Sequence, residues 1–256
     1  MASIDFDALG DKHKKFEENR NDRLMSGVPV MARLDGRAFH TLTRNCVKPY
    51  DVKFIEAMDT TCIELIRQYN AEIGYCQSDE ITLVWPNLEM FDLRIQKLCS
   101  SMASDATFAF SNAWGVKGAF DCRVWNVPNL ELAAENFMWR EMDATRNSIN
   151  MAAHEIFKQS ELDGIGSKQR IAMMEERGFH WALQEDRFKR GSFYKKERQM
   201  KNLSDEELAQ IPEKFRPTGP VARGVIVRKN WPILTSINNK VDMFFDENFV
   251  SFGDTE

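Results

Sequence analysis

Two short acidic segments, Arg33-Leu34-Asp35-Gly36-Arg37 and Gln77-Ser78-Asp79-Glu80, stand just over forty residues apart. Each follows an apolar, β-like run, Val28-Pro29-Val30-Met31 and Ile73-Gly74-Tyr75-Cys76. A carboxylate placed where a strand ends sits at the rim of a sheet. Brought together, Asp35 and Asp79 offer the hard oxygen ligands that Mg²⁺ takes in ones and twos, leaving its other positions to phosphate oxygens and water. Glu80 is then a third ligand or an orienting base. Two such ions would activate an attacking hydroxyl and neutralise a leaving pyrophosphate, the two-metal logic of phosphoryl transfer. Gly36 would let the backbone approach a metal or phosphate closely.

Taken singly, Asp35-Gly36 reads as a turn and Asp79-Glu80 as a polar hairpin tip. The surrounding cations favour the chemical reading, because a triphosphate needs its charge matched by Arg and Lys donors. Arg33, Arg37, Lys48, Arg94 and Lys97 are expected near the carboxylates, with Arg94 and Lys97 one helical turn apart and so on a shared face. His40, beside Phe39, would contact a nucleotide or serve the structure.

The elements that must position these residues follow from periodicity. Asp11 to Arg23 is charged with few apolar anchors and reads as a surface helix leading into a strand at Val28 to Arg33. From Asp51, a plausible N-cap, Ile55, Met58, Cys62, Leu65, Ile66 and Tyr69 recur at three- and four-residue intervals, which makes a helix with one buried face. Ile73 to Cys76 and Ile81 to Trp85 flank the second acidic segment as a hairpin; a helix from about Phe91 to Asn112 and a half-buried strand from Phe120 to Val127 follow. The order is β-α-β-β-α-β, the split βαβ or ferredoxin-like arrangement, in which the first and third strands lie antiparallel side by side. That places Asp35, at the end of one, beside Asp79, at the start of the other. The expected fold is α+β: a ferredoxin-like palm whose antiparallel sheet carries helices on one face, extended by a helical and β-hairpin C-terminal part. The palm-like core spans residues 1–130 and the extension 131–256, as one compact unit.

In the extension, Leu130 to Gln159 and Ser167 to Arg177, ended by Gly178, read as helices. The run Arg187 to Arg198 is basic with aromatics interleaved, and Gly191-Ser192 is expected to turn a hairpin whose partner is Val221 to Lys229. This run is the best RNA-contact candidate: Arg187, Lys189, Arg190, Lys195, Lys196 and Arg198 would neutralise phosphates while Phe193 or Tyr194 stacks on a base. Asn202 to Pro220 reads as a loop, and the tail beyond Asn248 as frayed.

Bulk properties narrow the classes. The 256 residues, 43% apolar, can bury a sizeable core, and a net charge of −5 gives no global attraction to nucleic acid, so polyanion binding must be local. Cys46, Cys62, Cys76, Cys99 and Cys122 are odd in number and lack any CxxC pair, which disfavours zinc and disulfide frameworks and fits a reducing, cytoplasmic setting. No run approaches the roughly 18 apolar residues of a membrane span, and the N-terminus lacks the pattern of a secretion signal.

Four motifs in order resemble the tRNA(His) guanylyltransferase superfamily: Arg33 to His40, Lys48-Pro49-Tyr50-Asp51, Gln77 to Glu80, and Trp139-Arg140-Glu141-Met142-Asp143-Ala144-Thr145-Arg146-Asn147. Gly10-Asp11-Lys12 and Gly191 to Tyr194 extend the similarity over most of the chain. The resemblance implies a palm-type enzyme that adds nucleotides to tRNA 5′ ends in the 3′-to-5′ direction, with GTP and ATP as substrates and two Mg²⁺ ions as cofactors. It also implies a homotetramer arranged as a dimer of dimers, for whose interface Phe137, Met138 and Trp139 are candidates. By motif, Asp35, the Gly36 carbonyl and Asp79 would hold the metals, with Glu80 adjacent and Ser78 next to the reacting phosphate. Arg33, Arg94 and Lys97 would hold triphosphate, and Arg37, Ala38, Phe39, His40, Lys48, Asp51 and Asn147 would lie around the nucleotide. Where eukaryotic members carry His-Ile-Asn-Asn this chain reads Thr145-Arg146-Asn147-Ser148, and Glu141 replaces a Gln. That departure resembles the Thg1-like branch, whose members are similar to template-dependent 5′-end repair polymerases. A nucleotidyl cyclase or ordinary palm polymerase would use the same sheet edge, and a tRNA-binding protein with a decayed site is the non-enzymatic alternative.

Overall fold

The computed structural model describes residues 5–18 and 21–246; the expected frayed tail lies outside them. Along the chain run α1 (Phe6–Glu18), β1 (Val30–Gly36), α2 (Phe39–Leu42), α3 (Val52–Tyr69), β2 (Ile73–Gln77), β3 (Glu80–Trp85), α4 (Ile95–Trp114) and β4 (Phe120–Asn126). The extension adds α5 (Leu130–Ile156), α6 (Gln159–Leu162), α7 (Ser167–Glu176), α8 (Asp186–Arg190), β5 (Ser192–Lys201), α9 (Asp205–Ala209), β6 (Val221–Lys229) and α10 (Lys240–Phe245). Local signals set several boundaries. The Asp51 carboxylate accepts the Phe54 N–H 3.0 Å away and caps α3, Asn129 caps α5 through the Leu132 N–H, and Gly178 closes the segment after α7 in the left-handed region.

Among the described residues the strands form one antiparallel sheet in the order β4-β1-β3-β2-β5-β6. The first four are the ferredoxin-like order, so α3 and α4 share one face. There Ala32, Leu34, Ile81 and Leu83 meet Met58, Leu65, Ile66, Leu98 and Phe110 in a closed core. The long α5 and the C-terminal segment lie on the other face, where Met31, Ile73, Tyr75 and Val84 pack against Ala133, Phe137, Trp231 and Phe244.

The structure revises details of the extension. Gly191 does not turn the hairpin; at φ 82° it leads α8 into β5. A Cβ there would lie 2.6 Å from the Cys76 carbonyl, so only glycine lets β5 enter beside β2. The hairpin is closed instead by residues 202–220, which hold α9 rather than a plain loop. The basic strand β5 is thus an interior strand for its first half and a projecting two-stranded ribbon for the rest.

Candidate functional site

Asp35 lies near the end of β1 and faces Glu80 across the β1-β3 register, while Asp79 sits in the turn just before β3. The Gly36 N–H donates to the Asp79 carbonyl at 2.9 Å, which pins the turn to the strand end. The turn itself is tight: Ser78 adopts a φ of 47°, a left-handed conformation that non-glycine residues seldom take. Burial pushes the Asp79 carboxyl above its usual range, the Asp35 charge pushes it further, and Ser78 and His40 oppose the rise. Asp35, Ser78, Asp79 and His40 therefore form one cluster at one end of the sheet. Arg33, two residues back on the same side of β1, stands beside it.

Next to the turn opens a cleft of about 230 Å³. Lys48, Asp51, Ser78, Asp79, Glu80 and Asn147 line it, as do Tyr50, Gln77, Met151, Arg187 and Phe188. The side chains of Ala144, Asn147, Ser148 and Met151 recur at helical spacing on α5 and form one wall. Tyr50 and Phe188 stack at 5.2 Å with their planes 5° apart, and the Tyr50 hydroxyl donates to the Ser148 carbonyl at 3.1 Å, closing the floor. Burial pushes the Tyr50 phenol up to about 12, so it stays protonated. Desolvation opposes ionisation of Asp51, but the N–H groups of Phe54 and Val47 outweigh it and hold the carboxyl below its usual range as a fixed anion. A larger, more open groove of about 450 Å³ between α3 and α4, lined by Tyr69, Phe91 and Asp105, contains none of the predicted site residues.

Other predicted residues are placed elsewhere. Arg94 is the N-cap of α4 and Lys97 lies in its first turn, and this start binds the segment before β1: the Ile95 N–H donates to the Asp22 carbonyl and the Leu24 N–H to the Leu93 carbonyl, while the Met25 N–H donates to Asn126 at the end of β4. Because Asn126 lies opposite Val30, these cations sit at the other end of β1 from Asp35, roughly 20 Å away along the strand. The helix does pack beside the sheet edge, but it starts at the far end. The Phe39 ring is buried among Phe54, Phe110 and Phe120, so only its backbone can reach a ligand. It also gives a different reason for Gly36: a Cβ there would lie 2.5 Å from the Phe39 ring. Ala38, at φ 59°, and the exposed Arg37 form the turn between β1 and α2.

The basic run is mostly committed within the molecule. Arg190 pairs with the buried Glu141 at 2.7 Å and with Asp186 at 2.8 Å, and Lys189 bonds the Ala182 carbonyl and Asp186. Phe193 is core, and Lys195 is buried with its ammonium against the carbonyls of Met243 and Asp246. Lys196 donates to Asn70, and Arg187 pairs with Glu185 while lining the cleft. Arg198 is exposed on the projecting half of β5. Of the interface candidates, Phe137 is core, Met138 is partly buried and Trp139 is exposed.

Sequence reasoning assigned no role to Arg140, which is buried and pairs with Glu80 and, at 3.4 Å, with Asp143. The signal available for it was its place in the fourth motif. Among the described residues no group of three or more His, Cys, Asp or Glu side chains is arranged to hold a metal by itself. The donor set still fits Mg²⁺: two like-charged carboxylates, one of them raised by burial and by its neighbour, converge where a divalent cation would relieve their repulsion.

Residues 10–128 match the family model described as tRNAHis guanylyltransferase, Thg1. The chain is 28% identical over 211 residues to an uncharacterized protein of Acanthamoeba polyphaga mimivirus, covering 69% of this chain and 72% of that protein. It is 24% identical over 229 residues to the tRNA(His) guanylyltransferase of Schizosaccharomyces pombe, covering 79% and 84%. Among solved structures it is similar to a bacterial tRNA(His) guanylyltransferase (Thg1)-like protein in complex with ATP, at TM-score 0.74 and 28% identity over 92% of this chain and 98% of that one. The GTP complex of a bacterial protein so described gives TM-score 0.70 at 28% identity, over 90% and 94%.

Proposed function

The chain belongs to the tRNA(His) guanylyltransferase superfamily of nucleotidyltransferases, and from that premise we propose that it adds nucleotides to tRNA 5′ ends in the 3′-to-5′ direction. The observation that carries this reading is the convergence of Asp35 and Asp79 at the mouth of a cleft that also holds Lys48 and Asn147. A nucleoside triphosphate seated there would place its base in the cleft against α5, with Lys48 and Arg33 available to its phosphates. Mg²⁺ held by Asp35, Asp79 and the Gly36 carbonyl would supply charge neutralisation and activate the attacking hydroxyl. The 3′-hydroxyl of the incoming nucleotide attacks the activated 5′ phosphate of the RNA, and AMP or pyrophosphate leaves. Bound to this chain's cleft, ATP would serve activation and GTP would serve addition, a division supported by relatives solved with each nucleotide.

Thr145-Arg146-Asn147-Ser148 supports 5′-end repair directed by the opposite strand rather than obligatory G-1 addition to tRNA(His). The RNA would run along the half-open sheet face and the β5-β6 ribbon, where Arg198 is exposed. The exposed Trp139 and Met142 of α5 support assembly into a homotetramer. No helix among the described residues is long and apolar enough to cross a membrane, and the free cysteines support a cytoplasmic site of action.

The test offers intact and 5′-truncated tRNAs with labelled GTP and each other triphosphate in the presence of Mg²⁺. Addition that follows Watson-Crick complementarity with the opposite strand is the expected result. Addition confined to tRNA(His) opposite a non-pairing base would overturn the repair reading, cyclic nucleotide formed from GTP alone would favour a cyclase, and tight tRNA binding without addition would mean the site does no chemistry.

A further inference from the structure

Glu80 begins β3 directly opposite Asp35 on β1, and opposed residues of an antiparallel pair project from the same face with Cβ atoms about 5 Å apart. It also follows Asp79 in sequence and lines the cleft. By position Glu80 and Asp121, which faces Asp35 from β4, are the two further carboxylates beside the Asp35-Asp79 pair; Asp121 stands on the exposed rim with Arg123 3.7 Å away, whereas Glu80 adjoins Asp79 inside the cleft. Its charge is directed elsewhere: Arg140, buried between α5 and the sheet with 4% exposure, grips it through Nη2. The guanidinium is itself anchored, because Nη1 meets Asp143, which also holds Arg146 and accepts from Asn147 Nδ2 at 3.2 Å. Arg140 lies close enough to Asp35 and Arg33 for both charges to act on it, yet its Nε is buried with no hydrogen-bond partner. A buried donor left unmade costs stability. The arrangement is therefore not one that hydrogen bonding alone would select.

We propose that Arg140 is a positioning residue that withholds the Glu80 carboxylate from the metal-binding pair. This rests on the nucleotidyltransferase reading above. A site with two carboxylates leaves the coordination positions of Mg²⁺ to phosphate oxygens and water, whereas a third carboxylate would fill one of them and tighten the metal at the substrate's expense. Arg140 thus keeps the site open to triphosphate, and α5, which carries it, joins the cleft wall to the catalytic turn.

The experiment compares wild type, Arg140→Met, Arg140→Lys, Glu80→Gln and the double variant Arg140→Met/Glu80→Gln, with Mn²⁺ as the probe and its binding followed by electron paramagnetic resonance. Melting curves identify which variants are folded. Arg140→Met is expected to bind Mn²⁺ about tenfold more tightly and to lose about 10- to 100-fold in kcat for GTP addition, the range typical of residues that orient metal ligands. Arg140→Lys should fall between, and adding Glu80→Gln should return Mn²⁺ affinity to that of wild type. Glu80→Gln alone should bind Mn²⁺ as wild type does; if Arg140→Met does not fold, this variant decides, since weakened binding would make Glu80 a ligand and overturn the proposal. Unchanged Mn²⁺ affinity in folded Arg140→Met, or tightening that survives Glu80→Gln, would overturn it too. A wild-type protein that binds Mn²⁺ but extends no RNA would defeat the proposed function while leaving these affinities to decide the role of Arg140.

Discussion

On the face covered by α3 and α4, β1 presents Val30, Ala32 and Leu34 to a core sealed by Phe39, Phe54, Phe110 and Phe120; on the other it presents Met31, then Arg33, then Asp35. Cover on the second face fades along the strands. Met31 and Val84 are fully buried, Thr82 is buried but polar, and beyond it Asp35, Glu80, Asp121 and Arg123 reach partial or full exposure. Because successive strand residues point to opposite faces, a single strand can complete a core and build a polar site without compromise between them. Stability and chemistry therefore separate by face: substitutions on the closed face should act on folding, and those on the open face on activity.

The largest test of that separation is Asp35→Ala or Asp79→Ala. Each should lower GTP addition by at least about a thousandfold, the scale for removing a principal electrostatic group from an active site, while the melting temperature stays within about 3 °C of wild type. Labelled-GTP incorporation and thermal melts followed by circular dichroism measure the two quantities. A large drop in melting temperature in either variant would mean that the carboxylates hold the sheet end together.

The mirror experiment is Phe110→Ala on the closed face, where the ring is fully buried against Phe39, Phe54, Trp114 and Phe120. Loss of a buried aromatic costs about 3–5 kcal/mol. For a domain of this size that lowers the melting temperature by roughly 10 °C. Addition per folded molecule at low temperature should be retained, and a selective loss of activity would show that the closed face sets the geometry of the site.

The closed face was the more legible of the two in the sequence. The three- and four-residue spacing from Ile55 to Tyr69 and the alternation of Phe120, Cys122 and Val124 give α3, β4 and the β-α-β-β-α-β order directly, because burial on one side imposes a period. Asp35 and Asp79 were legible for the same reason inverted: they are polar where strand ends meet. What periodicity cannot carry is direction along an element. The shared helical face of Arg94 and Lys97 says nothing about which end of the sheet α4 starts from, and the backbone pairing places that start at the far end. The intramolecular partners of the basic run were hidden for a different reason. Composition reports charge but not partners, and Glu141 and Asp186 for Arg190, or two carbonyls for Lys195, lie too far away in sequence or sit in positions too ordinary to be noticed.

The ion pairs of Arg190 give a third prediction. Arg190→Ala should cost about 3–5 kcal/mol, because it leaves Glu141, 1% exposed, buried without its cation. Its effect on tRNA should follow the folded fraction at every salt concentration. Arg198→Ala, on the ribbon, should change stability by no more than about 0.5 kcal/mol and reduce the slope of log affinity against log salt by about one phosphate contact. Denaturant melts and filter binding over a salt series separate the two. Equal salt slopes in wild type and Arg198→Ala would remove the ribbon from the RNA path.

The smallest effect concerns how tightly the closed face is sealed at its β4 edge. Cys99 on α4 and Cys122 on β4 are half-buried and titrate as a pair: a thiolate at Cys99 would accept from the Cys122 S–H, which in the thiol form reaches the Arg123 carbonyl at 3.9 Å, and with the Val124 N–H this outweighs desolvation and brings Cys99 down to about 7. Cys46, by contrast, is raised by burial and by Asp51, and the fully buried Cys62 and Cys76 are raised well above the ordinary thiol range. Because the thiolate is the reactive form, iodoacetamide at pH 7.5 should label Cys99 first, with a rate that inflects near pH 7. Cys122→Ala removes the donor and should move that inflection upward, whereas Cys122→Ser, which keeps an O–H, should move it less. Mass spectrometry of labelled peptides over a pH series reads both, and nucleotide addition should be unaffected. A Cys99 that resists labelling until the protein unfolds would mean that water does not reach this seam, and that the closed face is closed to its outermost strand.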